Sequence, residues 1–296
     1  MTSETRETFG RVGIWSGALH ASRTDDAGRD AIAEAVAELE ELKYGTLWIG
    51  GSPSVDDAAA VVSATRTVTV ATGILSIWDH PAEEVAARVA AIDASADGRF
   101  VLGLGVSHGP MVPQYTKPYS EMVAYLDSLD AANPPVGPGR RVLAALGPKM
   151  LKLATDRALG AHPYLVTAEH TAEARTALGP DALLAPELSV VLDTDTDRAR
   201  TTARSMLAMY LQLPNYTDNL LRLGFAESDF DGGGSVRLLD ALFALGDAER
   251  VKARTQEYLD AGADHVALQI LTADEGGGGL PRAEWRELAE VFGDEL

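Results

Sequence analysis

The sequence predicts a (β/α)8 TIM barrel, a parallel α/β fold, on three observations. The first is residues 70–108, VATGILSIWDHPAEEVAARVAAIDASADGRFVLGLGVSH, which spell strand, polar turn, His-Pro helix start, helix, Gly stop and second strand. That is one complete βαβ unit, and such a crossover leaves its two strands parallel in one sheet. The second is a junction that recurs four times. A helical pattern closes in Gly just before a short apolar strand, at Gly45, Gly98, Gly160 and Gly262. Glycine past a helix end takes a left-handed conformation without Cβ strain. The third is a count of eight strands alternating with helices, which is what the barrel requires. A doubly wound sheet uses the same alternation and stays open here; the count favours the barrel. The chain reads as one domain, 1–296, with an insertion at about 213–235.

Strand one covers 11–15 and feeds a helix that ends by Tyr44. Strand two, 46–50, is followed by a helix over 55–66, and strand three, 68–74, by a helix over 81–96. Strand four is 99–105, with a helix near 119–131. Strand five, 141–145, precedes a helix over 147–159. Strand six falls at 164–167 with a short helix from Thr171, and strand seven at 188–192 with a helix from Thr194. Strand eight is 265–271, and a terminal helix follows Pro281. Two segments break the rhythm. Residues 133–139 (NPPVGPG) form a turn-rich connection, and 213–235 form an insertion before an extra helical stretch at 236–245. Long insertions in compact domains are lids or binding loops in many proteins, and inert packing excursions in others.

Composition narrows the function classes. Cysteine is absent, which excludes disulfides, thiolate nucleophiles and Cys-ligated metals. The six histidines show no His-x-x-x-His pair or three-ligand spacing, so no metal is expected. A formal net charge of -19 argues against a nucleic-acid surface, which needs clustered Lys and Arg, and otherwise favours solubility. No apolar run is long enough to cross a membrane, and the start MTSETRETFGRVGIW does not read as a signal peptide. A cytoplasmic protein is the expectation.

His80-Pro81-Ala82, Ala90-Ala91-Ile92-Asp93, Ser95 and the run from Gly98 to Gly105 (GRFVLGLG) resemble the luciferase-like monooxygenase superfamily, and within it the oxidoreductases that use the deazaflavin coenzyme F420. Ala145-Leu146-Gly147-Pro148-Lys149, with Leu153, Ala154 and Gly160, resembles that superfamily's strand-five loop and helix. VGIW at the start, LWIGG at the end of strand two and the Ala261–His265 approach to the last strand also fit. The resemblance covers nearly the whole chain and implies a TIM barrel with the cofactor at the strand C-termini.

It also implies roles. Gly73–Ile74 matches a non-proline cis peptide that backs the deazaflavin ring in relatives, with Leu75 and Ser76 beside it and Gly50 at the neighbouring strand end. Gly103-Leu104-Gly105 lacks the third Gly of a dinucleotide fingerprint and reads as a barrel strand end. Ser107 and His108 follow it, where related enzymes carry a catalytic Glu. His108 is the candidate catalytic residue, an imidazole suited to general acid–base work, or else a loop histidine. Ala145, Leu146, Gly147, Pro148 and Lys149 form the candidate phosphate loop, because helix N-termini bind anions through backbone N–H groups. Lys152, Arg140 and Arg141 are candidates for extra positive charge there, and Thr167 and His170 for completing the site. Helix capping is the other role for His170 and Thr171. His162 lies in the same stretch. Trp15, Trp78, Met111 and Tyr115 are candidate substrate-pocket walls, or ordinary packing residues. Two departures stand out: the family's second loop Gly is Leu146 here, and relatives end strand two in an acidic residue followed by His where this chain has Gly50-Gly51-Ser52.

The function expected is hydride transfer between coenzyme F420 and a small organic substrate, by a homodimer as in relatives. The alternatives are an FMN-dependent monooxygenase of the same superfamily and a non-catalytic cofactor-binding protein on the same barrel.

Overall fold

The computed structural model describes residues 8–273 and 279–296. Eleven β-segments among them pair wholly in parallel: β1 (Val12–Ser16), β2 (Thr46–Gly50), β3 (Thr69–Gly73), β4 (Leu75–Ser76), β5 (Phe100–Gly105), β6 (Arg141–Leu143), β7 (Gly160–Ala161), β8 (Leu183–Leu184), β9 (Glu187–Leu192), β10 (Phe243–Gly246) and β11 (Val266–Ile270). Residues 183–192 close the ring. Their even-numbered carbonyls at Leu184 and Pro186 accept from Asp264 and Ala267, while the N–H groups of Ala185 and Glu187 donate to Ala161 and Pro163. The fold is therefore the TIM-barrel type that the alternation predicts.

Helices surround the sheet: α1 (Asp26–Glu41), α2 (Val55–Ser63), α3 (Ala82–Ala96), α4 (Pro118–Ala131), α5 (Pro148–Arg157), α6 (Ala168–Leu178), α7 (Thr196–Tyr210), α8 (Pro214–Arg222), α9 (Val236–Leu242), α10 (Ala248–Asp260) and α11 (Arg282–Phe292). Short polar side chains start many of them. Asp25, Ser54, Thr167, Asp195 and Asp247 each accept from a backbone N–H of the first turn, and Ser54 with Asp57 completes a capping box. Outward strand residues such as Ile14, Val70, Leu102 and Leu188 bury against these helices, and inward ones such as Trp15, Trp48, Val101 and Ala267 fill the barrel. A further core of Leu207, Tyr216, Leu220 and Leu239 lies under α7, α8 and α9.

The structure corrects several expected elements. Strand six is β7, upstream of the expected 164–167. The apolar run YLVT has strand composition, but Leu165 has a positive φ of 53° and its N–H donates to the Glu187 side chain, not to a ladder. Its helix starts at Ala168 with Thr167 as the N-cap. The stretch 236–245 is helical only to Leu242. Phe243 turns extended and β10 pairs with β9. The insertion holds a helix, α8, that the turn-rich sequence conceals. At the first Gly junction the left-handed residue is Lys43, not Gly45, which instead packs on Gly10 with room for no side chain.

Strand three carries an irregularity that positions the site. Val70 and Ala71 face Phe100 and Val101, whereas Leu75 and Ser76 face Leu104 and Gly105. Four steps on one strand oppose three on the other, a β-bulge. The two glycines of β5 make room for it. A Cβ on Gly103 would stand 1.8 Å from the Thr72 carbonyl oxygen, and one on Gly105 would stand 2.3 Å from the tip of Ile74. The Thr72 hydroxyl also spans both polar groups of Gly103, at 2.8 Å to its O and 2.8 Å from its N. The Gly-x-Gly is a packing device, as its reading as a strand end predicts.

Deeper in the barrel, Trp48 stacks on His162 with ring centroids 4.1 Å apart and planes 6° from parallel. Its Nε1 donates to His265 Nε2 at 3.0 Å, so His265 carries its hydrogen on Nδ1, which donates to Gly10 O at 2.9 Å. Burial lowers both imidazoles to about 4.

Two outcomes are expected. Gly103→Ala meets rigid backbone and should destabilise by about 3 kcal/mol in urea unfolding. Gly105→Ala meets only the end of a side chain and should cost about 1 kcal/mol. The histidines make stability pH-dependent. The unfolded chain protonates them near 6.5 and the folded chain only near 4. Their stabilising contribution is thus complete above 6.5 and is lost as pH falls toward 4. The carboxyl of Glu187, raised to about 7 by burial, acts in the opposite sense over part of that window. The comparison is therefore between wild type and His265→Gln. The variant should gain on the order of 2 kcal/mol relative to wild type between pH 7 and pH 4.5, and parallel pH profiles would refute a neutral, buried His265.

Candidate active site

The C-terminal strand ends gather most of the predicted residues. The Gly73–Ile74 bond is cis, as the resemblance implies. Trp15 reaches over from β1, and its Nε1 donates to Gly73 O at 2.8 Å. Its ring lies against the bare backbone of Gly50 and Gly73, where an added Cβ would come within 2.2 Å and 2.8 Å of the indole. Leu75 and Ser76 continue on β4 and are buried, and Ser107 holds a positive φ of 55° just beyond β5.

Trp15 opens a chain of aromatic contacts that ends at His108. Its ring centroid is 5.4 Å from Tyr164, which sits 6.4 Å from Tyr216, and Tyr216 sits 5.2 Å from the His108 imidazole. Tyr210 joins at 5.4 Å from Tyr164 and 5.3 Å from Tyr216. The hydroxyls are ordered: Tyr210 donates to Tyr164 at 3.1 Å, and Tyr164 donates to Gln269 Oε1 at 2.8 Å. His108 Nδ1 lies 3.1 Å from Asn215 Oδ1 of α8. Burial lowers the His108 pKa below its ordinary value, against a smaller raising effect of Asn215, so the ring is neutral at pH 7.

The expected phosphate loop forms a second region of the same face. Ala145 and Leu146 lead to Gly147, which begins α5 with no side-chain cap, and Pro148 takes the first helical turn, where its missing N–H is not needed. The space where a Gly147 side chain would go is open. Lys149 is exposed beside it. His170 Nε2 bonds Leu146 O at 2.9 Å, tying the loop to α6, and Thr167 caps α6 by accepting from His170 N. Thr171 bonds back to Thr167 O.

Other candidates fall elsewhere. Arg140 pairs with Asp93, and buried Arg141 pairs with Asp130, both at the opposite end of β6 from the loop. Their long side chains run to the nearest carboxylates, which sequence position alone does not reveal. Lys152 is occupied by Asp156 one helical turn on. His162 is in the barrel interior. Trp78 donates to Val106 O at 2.6 Å and packs 5.8 Å from Tyr115. Met111 is 57% exposed. Among the described residues no cluster has the side chains to hold a metal.

The structure adds residues that the sequence reading missed. Glu187 points into the barrel, fully buried, with Ser189 Oγ donating at 2.6 Å and Leu165 N at 3.1 Å. Its inward position follows from strand alternation with Ala185 and Ser189, a signal the sequence does carry. An acid and a histidine do stand at the end of β2, supplied by other segments. Buried His20, from the loop after β1, contacts Gly50 O through Nε2 at 2.5 Å, and its Nδ1 lies 3.7 Å from Asp57 of α2. No local motif links residues 20 and 57.

The sequence model of the luciferase-like monooxygenase family matches residues 11–132. No curated protein matches the chain. Solved structures share the fold. An F420-dependent secondary alcohol dehydrogenase in complex with an F420–acetone adduct is 13% identical, with a TM-score of 0.68 over 94% of this chain and 99% of that one. The coenzyme F420-dependent tetrahydromethanopterin reductase of Methanopyrus kandleri is 15% identical, with a TM-score of 0.67 over 96% and 99%. The oxygenating constituent of 3,6-diketocamphane monooxygenase from Pseudomonas putida, in complex with FMN, is 12% identical, with a TM-score of 0.66 over 95% and 98%. The front half of the barrel thus carries the luciferase-like monooxygenase sequence pattern, and the chain as a whole takes the barrel fold of these enzymes.

Proposed function

We propose that the chain is an F420-dependent oxidoreductase acting on a small organic molecule. The observation that carries this reading is the gathering, on one strand-end face, of the 73–76 bulge, the neutral His108 and the uncapped, open helix start at Gly147. The residues fit the coenzyme's parts. The backbone from Gly73 to Ser76, with partly buried Ile74, would back a planar ring. The first N–H groups of α5, with Lys149 beside them, suit the phosphodiester against a strongly acidic chain. When bound, the deazaflavin supplies a carbon centre that accepts or gives a hydride, and the protein's task is orientation and electrostatics.

The chain's own groups then have definite work. His108, uncharged at neutral pH with its hydrogen on Nδ1, takes a proton at Nε2. The ring edges of Trp15, Tyr164, Tyr210 and Tyr216 enclose the face apolarly and exclude water, while the Tyr210–Tyr164–Gln269 hydroxyl chain offers one oriented polar contact. An FMN-dependent monooxygenase is the second reading, supported by the comparable likeness to the FMN-bound Pseudomonas putida protein.

Titration followed by tryptophan fluorescence separates the two, since Trp15 and Trp78 flank the face. Saturable quenching by F420 with weak FMN binding is expected, and tight FMN binding without F420 binding would sink the proposal. His108→Gln should keep F420 binding and lower kcat about 10²- to 10⁴-fold across an alcohol and carbonyl substrate panel. Retained turnover would remove His108 from the chemistry. Light scattering tests the homodimer that the resemblance implies.

A further inference from the structure

We propose that Asn215, on the inserted helix α8, is a positioning residue that fixes the tautomer of His108. The inference rests on the reading of His108 as the group that handles the proton. It concerns a residue 107 positions away in sequence, in a segment that no motif connects to the site.

A carbonyl oxygen only accepts. With Asn215 Oδ1 3.1 Å from His108 Nδ1, the imidazole hydrogen sits on Nδ1 and Nε2 keeps its lone pair. The Asn215 end of this contact is held by how α8 is anchored. Tyr216 and Leu220 bury into the core beneath α7 and α9. Arg222 bonds both Asn219 and Glu173 of α6. Pro214 at the first helical position sets the entry of the chain. Tyr216 then packs against the imidazole at 5.2 Å and restricts its rotation. Burial and the Asn215 carbonyl are the influences on the His108 pKa, and they oppose one another. The ring therefore rests neutral with a basic Nε2. Once it takes a proton there, its Nδ1–H to Asn215 stabilises the imidazolium. On this view residues 214–216 are part of the active site, not a packing excursion.

The test is long-range 1H–15N NMR of 15N-histidine-labelled protein, with the His108 signals assigned by their loss in His108→Gln. Wild type should show the Nδ1–H tautomer and a pKa below the ordinary histidine value. Asn215→Asp should keep that tautomer and raise the His108 pKa by at least one unit, a tenfold gain in proton affinity. Asn215→Ala should give mixed tautomers and a lower pKa. The His162 and His265 signals, deep in the barrel, report whether the fold is intact, and Asn215→Ser replaces any variant that disturbs them. An unchanged tautomer and pKa in both substitutions overturns the proposal. The readout is independent of turnover. A shifted tautomer with an active His108→Gln would leave the positioning role standing and fell the catalytic one, and the reverse pattern would do the opposite.

Discussion

The barrel mouth depends on one contact, the Trp15 indole against the bare backbones of Gly50 and Gly73. Neither glycine has room for a Cβ with the indole in place. The indole N–H is satisfied by the Gly73 carbonyl, so the large ring buries without an orphaned donor. Its far side carries Tyr164, which carries Tyr210 and Tyr216, and Tyr216 carries His108. A single packing arrangement therefore couples β1, β2 and β3 to the end of β5 and to the inserted helices. A displacement at one end would be felt across the whole face, because close-packed interiors transmit shape changes.

The interior is polar at two levels, and burial disfavours charge at both. Lower down, His162 and His265 are locked between Trp48 and backbone carbonyls, and burial makes protonation costly. Higher up, Glu187 is held by a hydroxyl and one backbone N–H, and burial pushes its carboxyl up to about 7. His108, half-buried at the mouth, is shifted in the same direction as the deep histidines. In such low-dielectric surroundings a charge acts strongly on its neighbours. At the surface, Asp26, Asp56 and Asp127 pair with Arg29, Arg88 and Arg157.

How much was legible depended on whether a signal was local. The strand at 46–50 is found where TLWIG places it, because an apolar β-rich run after a helix end has few other uses. The cis bond at Gly73–Ile74 was reached through family resemblance, and Gly103 and Gly105 through the missing third glycine of a nucleotide fingerprint. Strand six is hidden in the sequence because YLVT has the composition of a strand but not its hydrogen-bonding partners. FALG continues an apolar helical pattern, and its pairing as β10 is with β9, 54 residues earlier. Arg140 and Arg141 are near the phosphate loop along the chain, yet they sit at the other end of the strand and pair with Asp93 and Asp130.

Local sequence alone dictates the alternation of strands and helices and the parallel sheet. These follow from periodicity, caps and glycine placement, all written within a dozen or so residues. Tertiary structure alone decided which side chains meet. It brought His20 and Asp57 to the end of β2, set the Leu165 N–H on the Glu187 carboxyl, and set Asn215 against His108. Those contacts depend on how elements far apart in the chain pack around a common axis. No local pattern encodes that geometry, because the same helix or strand sequence would fit several neighbours and only the closed barrel selects one.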